Sequence, residues 1–405
     1  MTSEDLNLPL KIAIVVSHPI QHFCPQYVSF AQHENIQLKV FFGSALGYKK
    51  YLDENFKQEI FWGNLQLDKF DHVFLNGDAV LQADKNLDAL TLEKELSMYA
   101  PDCVIQYGYF QALQKRTYRW AVKNKVALAY ISDTELRQQR NKIKQWIKSI
   151  YLRRHFSKIS YFLTVGNANE EFYAKHGVAA TKVLRMHFPI DVQQYENAYA
   201  QKSELAKQKR NQYTIGENET ILLVVGKLVS WKNQDHIIEA MKLLEGRGIY
   251  MHLFMLGSGE MKEAWQKKAA QLQHSKVYFP GFIDIETLPA YYAATDIYIC
   301  PAAVEPHSIA ISEAIYMGCP VIISDRCGSY GPGDDVQEGK NGYVFPLGNI
   351  AVLAETIAAL VKAPPAALKN GEISHEIAVG FQLNSHSMII DKLIQKLKEL
   401  KDGIL

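Results

Sequence analysis

Little in this sequence assigns a function on sight. Its five cysteines, Cys24, Cys103, Cys300, Cys319 and Cys327, form no C-x-x-C pair and no zinc-ligand spacing, which argues against a disulfide framework or a zinc finger. An odd count without a framework fits a reducing compartment, with the thiols serving as small core residues. Neither charge dominates: 44 Lys and Arg against 43 Asp and Glu leave a net +1, so bulk electrostatics gives no reason to expect nucleic acid as a partner. No run reaches the ~18 uninterrupted apolar residues of a membrane span. The opening "MTSEDLNLPLKIAIVVSHPI" carries acids where a secretory signal carries bases, and its apolar run is short. The expectation is a cytoplasmic protein.

What is present is core material. A hydrophobic share of 48% over 405 residues exceeds one ordinary core and implies two or three domains. "KIAIVVSHP", "IQLKVFFG", "CVIQYG", "ALAYISD" and "ISYFLTVG" are short, continuously apolar runs, the pattern of strands buried on both faces. Between them lie segments of helical period such as "LDALTLEKELSMY", with Leu87, Leu90, Leu92 and Leu96 near helical spacing. The region 190–220 is polar and lacks a continuous apolar face, which reads as a linker plus a solvated helix. Alternation then restarts with "TILLVVGKL", "YMHLFMLGSG", "KVYFPGF", "DIYICPA", "PVIISD" and "GYVFPL". Two doubly wound α/β domains follow from this pattern. They are expected at 1–195 and 205–380, with a closing amphipathic helix carrying Ile389, Ile390, Leu393, Ile394 and Leu397.

In open α/β sheets ligands sit outside the carboxyl ends of the strands. The second half places its chemistry there. Gly226, Lys227 and Lys232 follow the first run, and Gly257 and Gly259 the second, with a helix opening at Glu260. Gly281, Phe282 and Ile283 follow the third; Glu305 and Glu313, in "EPHSIAISEA", follow the fourth. Taken singly, each has an ordinary reading, as a tight turn, a solvated lysine or a chance pair of acids. Together they suit a nucleotide diphosphate. The lysines would neutralise phosphates, and the N–H groups of 307 to 310, including those of His307, Ser308 and Ile309, would hold phosphate oxygens at a helix N-terminus. Were both glutamates helical, they would lie ~12 Å apart along the axis, so that one could serve each end of a sugar–diphosphate–ribose segment.

On "GKLVSWKNQDHIIEAMKLL", "MLGSGE", "FPGFIDIETLPAYYAATDIYICPA", "EPHSIAISEAIYMGCPVIISD" and "GKNGYVFP", residues 219–360 resemble the retaining glycosyltransferases of family 4, the group 1 glycosyl transferases. The resemblance implies a GT-B fold: two Rossmann-like domains facing across a cleft, with residues 380–405 crossing back to the first. It further implies Lys227 and Lys232 on the donor diphosphate, Glu305 beside the donor sugar, Glu313 on the ribose, and Phe282 and Ile283 near the base. Glu305 and Lys232 would be catalytic, with no metal and no cofactor beyond the nucleotide sugar. The acceptor would be a hydroxyl of a glycan or lipid-linked saccharide. A sugar-nucleotide epimerase of the same architecture, or a nucleotide-sugar-binding protein without turnover, stands as the alternative.

The chain departs from the family in two places. His307 and Ser308 stand where many members have an aromatic residue and a glycine. In the first half, "YISDTELRQQR" ends its strand with Asp133 where many members have a histidine, and "SHPIQHF" replaces a paired-glycine loop. Asp133 and His18 are therefore the candidates on the acceptor side, Asp133 as a catalytic group. One segment remains. The basic stretch 141–158, "NKIKQWIKSIYLRRHFSK", has Ile143, Trp146, Ile147 and Ile150 on one face. It reads first as a helix packed on the first domain, and otherwise as a peripheral contact with an anionic membrane.

Overall fold

The computed structural model describes residues 8–53, 58–63, 65–137 and 142–402. Residues 1–7, 141 and 403–405, which enter the expectations for the N-terminus, the basic stretch and the closing helix, lie outside the described residues.

The first half supplies β1 (Leu10–Val16), β2 (Ile36–Phe42), β3 (Tyr51–Asp53), β4 (Gln58–Ile60), β5 (Asp71–Phe74), β6 (Cys103–Tyr107), β7 (Ala127–Ile131), β8 (Tyr161–Thr164) and β9 (Val183–Arg185). Seven of these form a parallel sheet in the order β5-β2-β1-β6-β7-β8-β9, while β3 and β4 make an antiparallel hairpin. Its helices are α1 (Cys24–Ala31), α2 (Leu92–Tyr99), α3 (Ala112–Asn124), α4 (Lys142–Phe156) and α5 (Asn167–Lys175). The apolar runs are continuous because both faces are covered. Ile12, Ile14 and Val16 point into one core, and Ala13 and Val15 into the other, the two-residue period of a strand.

The second half begins with α6 (Val192–Ala200) and α7 (Lys202–Tyr213). Here the reading of a linker with a solvated helix holds for α7, which has no buried residue, and is corrected for α6: Tyr195 is fully buried and α6 packs into the second core. Tyrosine hydroxyls make such a helix look polar, although the ring carries most of the surface. A parallel six-stranded sheet follows, in the order β12-β11-β10-β13-β14-β15. Its strands are β10 (Thr220–Val225), β11 (Met251–Leu256), β12 (Lys276–Gly281), β13 (Ile297–Cys300), β14 (Val321–Ser324) and β15 (Gly342–Phe345). Helices α8 (Asp235–Glu245), α9 (Lys262–Ala269), α10 (Leu288–Ala293), α11 (Ile309–Tyr316) and α12 (Ile350–Lys362) cover its faces.

The chain then returns. Helix α13 (Pro364–Lys401) starts on the second domain, where Ser374 Oγ donates to Cys319 O at 2.8 Å. It ends in the first, where Ile389, Ile390, Leu393, Ile394 and Leu397 complete one face of the core. Midway, Gln382 holds the connecting segment by accepting from Ile190 N–H and donating to Phe188 O.

Two further expectations are corrected. The leucine pattern at 87–99 starts its helix only at Leu92, and Leu90 is exposed. Helix α4 does not lay Ile143, Trp146, Ile147 and Ile150 on the first domain: they are 55–72% exposed, while Leu152 and Phe156 on its other side are buried. Among the described residues no single helix is long and apolar enough to cross a membrane.

Candidate active site

In each sheet the strand order reverses beside the first strand of the half, β1 with β6 and β10 with β13. Loops diverge there and leave a crevice. The loop after β10 carries Gly226, Lys227 and Lys232; the loop after β13 carries Glu305. These two loops are tied to each other, since Ala303 N–H donates to Trp231 O at 2.8 Å and Lys232 Nζ bonds Glu305 Oε2. Burial alone would lower the Lys232 pKa, but the Glu305 charge holds it above the ordinary lysine value.

The G-x-G after β11 has a packing reason. Gly226 N–H donates to Leu256 O and Leu228 N–H to Ser258 O, so the lysine loop lies flat on this turn. A methyl group on Gly257 would overlap the Gly226 carbonyl, at a φ of +126° that L residues rarely adopt. The following helix opens at Lys262 rather than Glu260.

Glu305 and Glu313 do not share a helix. Glu305 forms a β-bridge with Cys327, and α11 begins at Ile309 with Ser308 as its cap residue. The N–H of Ser308 is already bonded to Ser329 Oγ at 2.9 Å. The expected row of free donors over 307–310 is shortened accordingly; Ile309 and Ala310 keep the outward N–H groups of a helix start. Glu313 is buried, where it accepts from Tyr292 Oη at 2.8 Å. Burial pushes its carboxyl up to about 7, against the pull of that bond.

A cleft of about 480 Å³ collects Gly226, Gly257, Phe282, Ile283 and Glu313 from the second domain. Gln21, Phe61, Trp62 and Gly63 of the first domain close its far side. A larger cavity of about 980 Å³ continues from Glu313 past Ile309 to His22 and the connector. Neither aromatic at 61 and 62 was signalled by the sequence, because nothing in its spacing ties that segment to strands two hundred residues away.

His18 and His22 follow β1. His18 Nδ1 pairs with Ser17 Oγ at 2.9 Å, and burial lowers the two rings to about 4 and 3. Both are neutral at pH 7. His307 differs. Its Nε2 lies 3.2 Å from Asp335 Oδ2, and Asp335 also accepts from Ser312 Oγ at 2.7 Å. Burial would lower the His307 pKa, but Asp335, then Asp334 and Asp133, hold it above the ordinary value. Burial raises Asp133, and the His307 charge opposes that rise. The structure thus sets Asp133 of the first domain within electrostatic reach of His307 of the second. Asp334 and Asp335, in "GPGDDV", carry no periodic signal and were not anticipated. Among the described residues no group of three or more His, Cys, Asp or Glu could hold a metal ion.

With this geometry in hand, kinship can be stated. Residues 206–375 match the family of glycosyl transferases group 1, a span that contains Lys232, Glu305 and Glu313. The second domain is a group 1 glycosyl transferase domain. The chain shares 33% identity over 117 residues with a glycosyltransferase of Methanocaldococcus jannaschii, 28% of this chain and 30% of that relative. It is 28% identical over 180 residues to a GDP-mannose-dependent alpha-(1-6)-phosphatidylinositol monomannoside mannosyltransferase of Mycobacterium tuberculosis, 42% of this chain and 45% of that one. The chain therefore spans less than half the length of these two relatives. Across both halves, the Anabaena protein Alr3699/HepE, crystallised with UDP, superposes with a TM-score of 0.68 at 15% identity, over 96% of this chain and 100% of its own. The group 1 domain and the sheet facing it together make a GT-B fold.

Proposed function

We propose that this protein is a retaining, metal-independent glycosyltransferase. It would move a sugar from a UDP- or GDP-sugar to a hydroxyl of a glycan or lipid-linked saccharide. The observation that carries the reading is that strand-exit residues of one sheet, Gly226, Gly257, Phe282 and Ile283, line the 480 Å³ cleft with Glu313, while the paired Lys232 and Glu305 sit on neighbouring loops at the same sheet mouth and Ile309, at the start of α11, lines the adjoining 980 Å³ cavity. Relatives that use GDP-mannose or bind UDP support a nucleotide-sugar donor.

In this reading the base lies against Phe282 and Ile283, and the ribose hydroxyls donate to Glu313. Because burial pushes that carboxyl up to about 7, donor affinity should rise with pH as Glu313 ionises. The diphosphate draws Lys232 away from Glu305, with Lys227 beside it, and meets the N–H groups of Ile309 and Ala310. Glu305 is then released to the sugar hydroxyls. Positive charge placed where the leaving diphosphate develops its own is the largest expected rate term, and the two-domain cleft supplies alignment. His307 and Asp133, within electrostatic reach of each other, would contact the sugar and the incoming hydroxyl.

Calorimetry with UDP, GDP and NAD, with and without EDTA, on wild type and Glu313→Ala tests the donor site. Tight binding of one nucleoside diphosphate in EDTA, lost in the variant, is expected; no diphosphate binding would overturn the reading. Donor hydrolysis without acceptor separates a transferase from a binding protein. An epimerase would instead return an isomerised nucleotide sugar. The anomeric configuration of a transferred sugar, read by NMR, decides retention.

A further inference from the structure

The acids around His307 are more than the proposed chemistry uses. Asp335, in the loop after β14, is buried together with the His307 ring, their side chains 3% and 1% exposed. One of its oxygens, Oδ2, takes both neighbours: it lies 3.2 Å from His307 Nε2 and accepts from Ser312 Oγ of α11 at 2.7 Å. The main chain is held as well. Asn341 Nδ2 donates to Asp335 O at 2.8 Å, and Asn341 Oδ1 accepts from Gln337 N–H at 2.8 Å. The carboxylate is thus fixed at both ends while it faces the ring.

A carboxylate against Nε2 decides where the ring carries its proton: Nε2 keeps it, and Nδ1 faces elsewhere. Nδ1 is buried and has no hydrogen-bond partner among the described residues, a state that folded chains seldom leave unexplained. Phe188 of the connector packs edge-on against the ring, with 5.0 Å between centroids. Charge reaches the ring from several elements: Asp335 and Asp334 from the loop after β14, and Asp133 from the loop after β7. Behind them, Arg185 on β9 pairs with Asp334, and the His187 charge acts on Asp335. Burial would strip the ring of its proton, but Asp335, then Asp334 and Asp133, hold it above the ordinary histidine value. Burial would likewise raise Asp335, and His307 holds it below the ordinary carboxylate value.

We infer that Asp335 is a positioning residue for the transfer: it fixes the His307 ring with Nε2–H toward its own carboxylate, and so presents Nδ1 to an oxygen of the donor sugar. The inference rests on the glycosyltransferase reading above. The place of the ring favours the sugar, because His307 stands between Glu305, read as the sugar's partner, and Ile309, whose N–H meets the diphosphate. With a proton on each nitrogen, Nδ1 donates a charge-assisted bond, about twice as strong as a neutral one. The ring is shut from solvent, so the sugar reaches Nδ1 as the Asp133 side of the interface draws back, and the bond then forms in a dry place where charge counts for more. Without Asp335 the buried ring loses its charge, and Nδ1 offers a lone pair in place of a donor. Asp335 acts through His307 alone.

The test uses the full chain isotope-labelled in its histidine rings, with His307→Gln identifying the signal by NMR. The His307 ring should titrate above 6.5 in wild type and below it in Asp335→Asn. Above the wild-type midpoint, nitrogen shifts should show the Nε2–H tautomer; the Nδ1–H tautomer overturns the inference without recourse to any Asp335 variant. Calorimetry then compares UDP-glucose with UDP, and GDP-mannose with GDP. Asp335→Asn should weaken the nucleotide sugar about tenfold and leave the bare diphosphate unchanged, with native circular dichroism. In a His307→Gln background the same change should cost nothing further. No loss, an equal loss for the bare diphosphate, or an equal loss in both backgrounds makes Asp335 a merely structural residue and overturns the inference. If neither diphosphate binds wild type, the glycosyltransferase reading falls and this inference with it. If one binds and Asp335→Asn leaves the ring titration unmoved, this inference alone falls.

Discussion

Asp334, on the second domain, accepts from the backbone N–H of Asn167, the first residue of α5 in the first domain, at 3.0 Å through each carboxylate oxygen. One domain thereby caps a helix of the other, and does so with an acid, the charge that a helix N-terminus favours. Arg185 of the first domain adds 2.7 Å to Gly333 O and 3.2 Å to Asp334. Arg137 lies flat on the Tyr330 ring and donates to Tyr330 O at 2.9 Å. The loop after β14 therefore latches the domains beside the proposed site.

Gly166→Ala tests the latch cleanly. Gly166 has φ −176°, an extended conformation that any residue adopts, but its new methyl would lie 2.6 Å from Asp334 Oδ1. The variant should fold, lose about 1–2 kcal/mol of stability and show a larger radius of gyration in small-angle scattering. An unchanged radius would mean that the latch does not set the domain spacing.

Glu313 should trade stability for binding. Its folded pKa is raised from 4.5 to about 7, so the folded state holds a proton that the unfolded state releases. The contribution is whole below about pH 4.5 and is lost as the pH rises through 7, a cost of about 3 kcal/mol. In the unliganded protein Glu313→Gln should raise the thermal midpoint at pH 8 and leave it unchanged at pH 4, while weakening nucleotide binding. Equal midpoint changes at both values would contradict the buried-acid account.

Lys232 and Glu305 should couple. Their side chains are only 21% and 13% exposed, so removing either leaves a charge in a poorly hydrated place. A double-mutant cycle with Lys232→Met and Glu305→Gln, measured by denaturant unfolding, should give about 1–3 kcal/mol. Additive single changes would show that the pair is not formed in solution.

Gly257→Ala should cost about 2 kcal/mol or more by pushing on the Gly226 carbonyl, and with it displace the lysine loop. The expected readout is lost nucleoside-diphosphate affinity in calorimetry at a temperature where circular dichroism is still native. Retained affinity would mean that the loop relaxes without consequence.

The parallel strands were legible because a strand buried on both faces is apolar throughout, and β1, β10 and β11 are of that kind. The edges were not: β5, "DHVF", is short and half-buried and β9, "VLR", has three residues, too few for any period to declare itself. Amphipathicity announced α4 but not which side the fold would take, because Leu152 and Phe156 offer an apolar face as good as that of Ile147 and Ile150. In the site, Lys232, Glu305 and Glu313 could be found because strand exits mark them. Trp62, Asp334 and Asp335 could not: Trp62 and Asp334 take their meaning from the other domain, and Asp335 from His307 and Ser312, to which no short spacing links it.

Helix α13 has a consequence for how the protein is made. The first domain cannot close one face of its core until Ile389 to Leu397 have emerged. At ribosomal rates of about 5–20 residues per second, the first sheet waits roughly 10–40 s for them, with its apolar face bare while the second domain is synthesised. The nascent first half is thus a natural client for a chaperone, and α13 is the helix that ends its dependence.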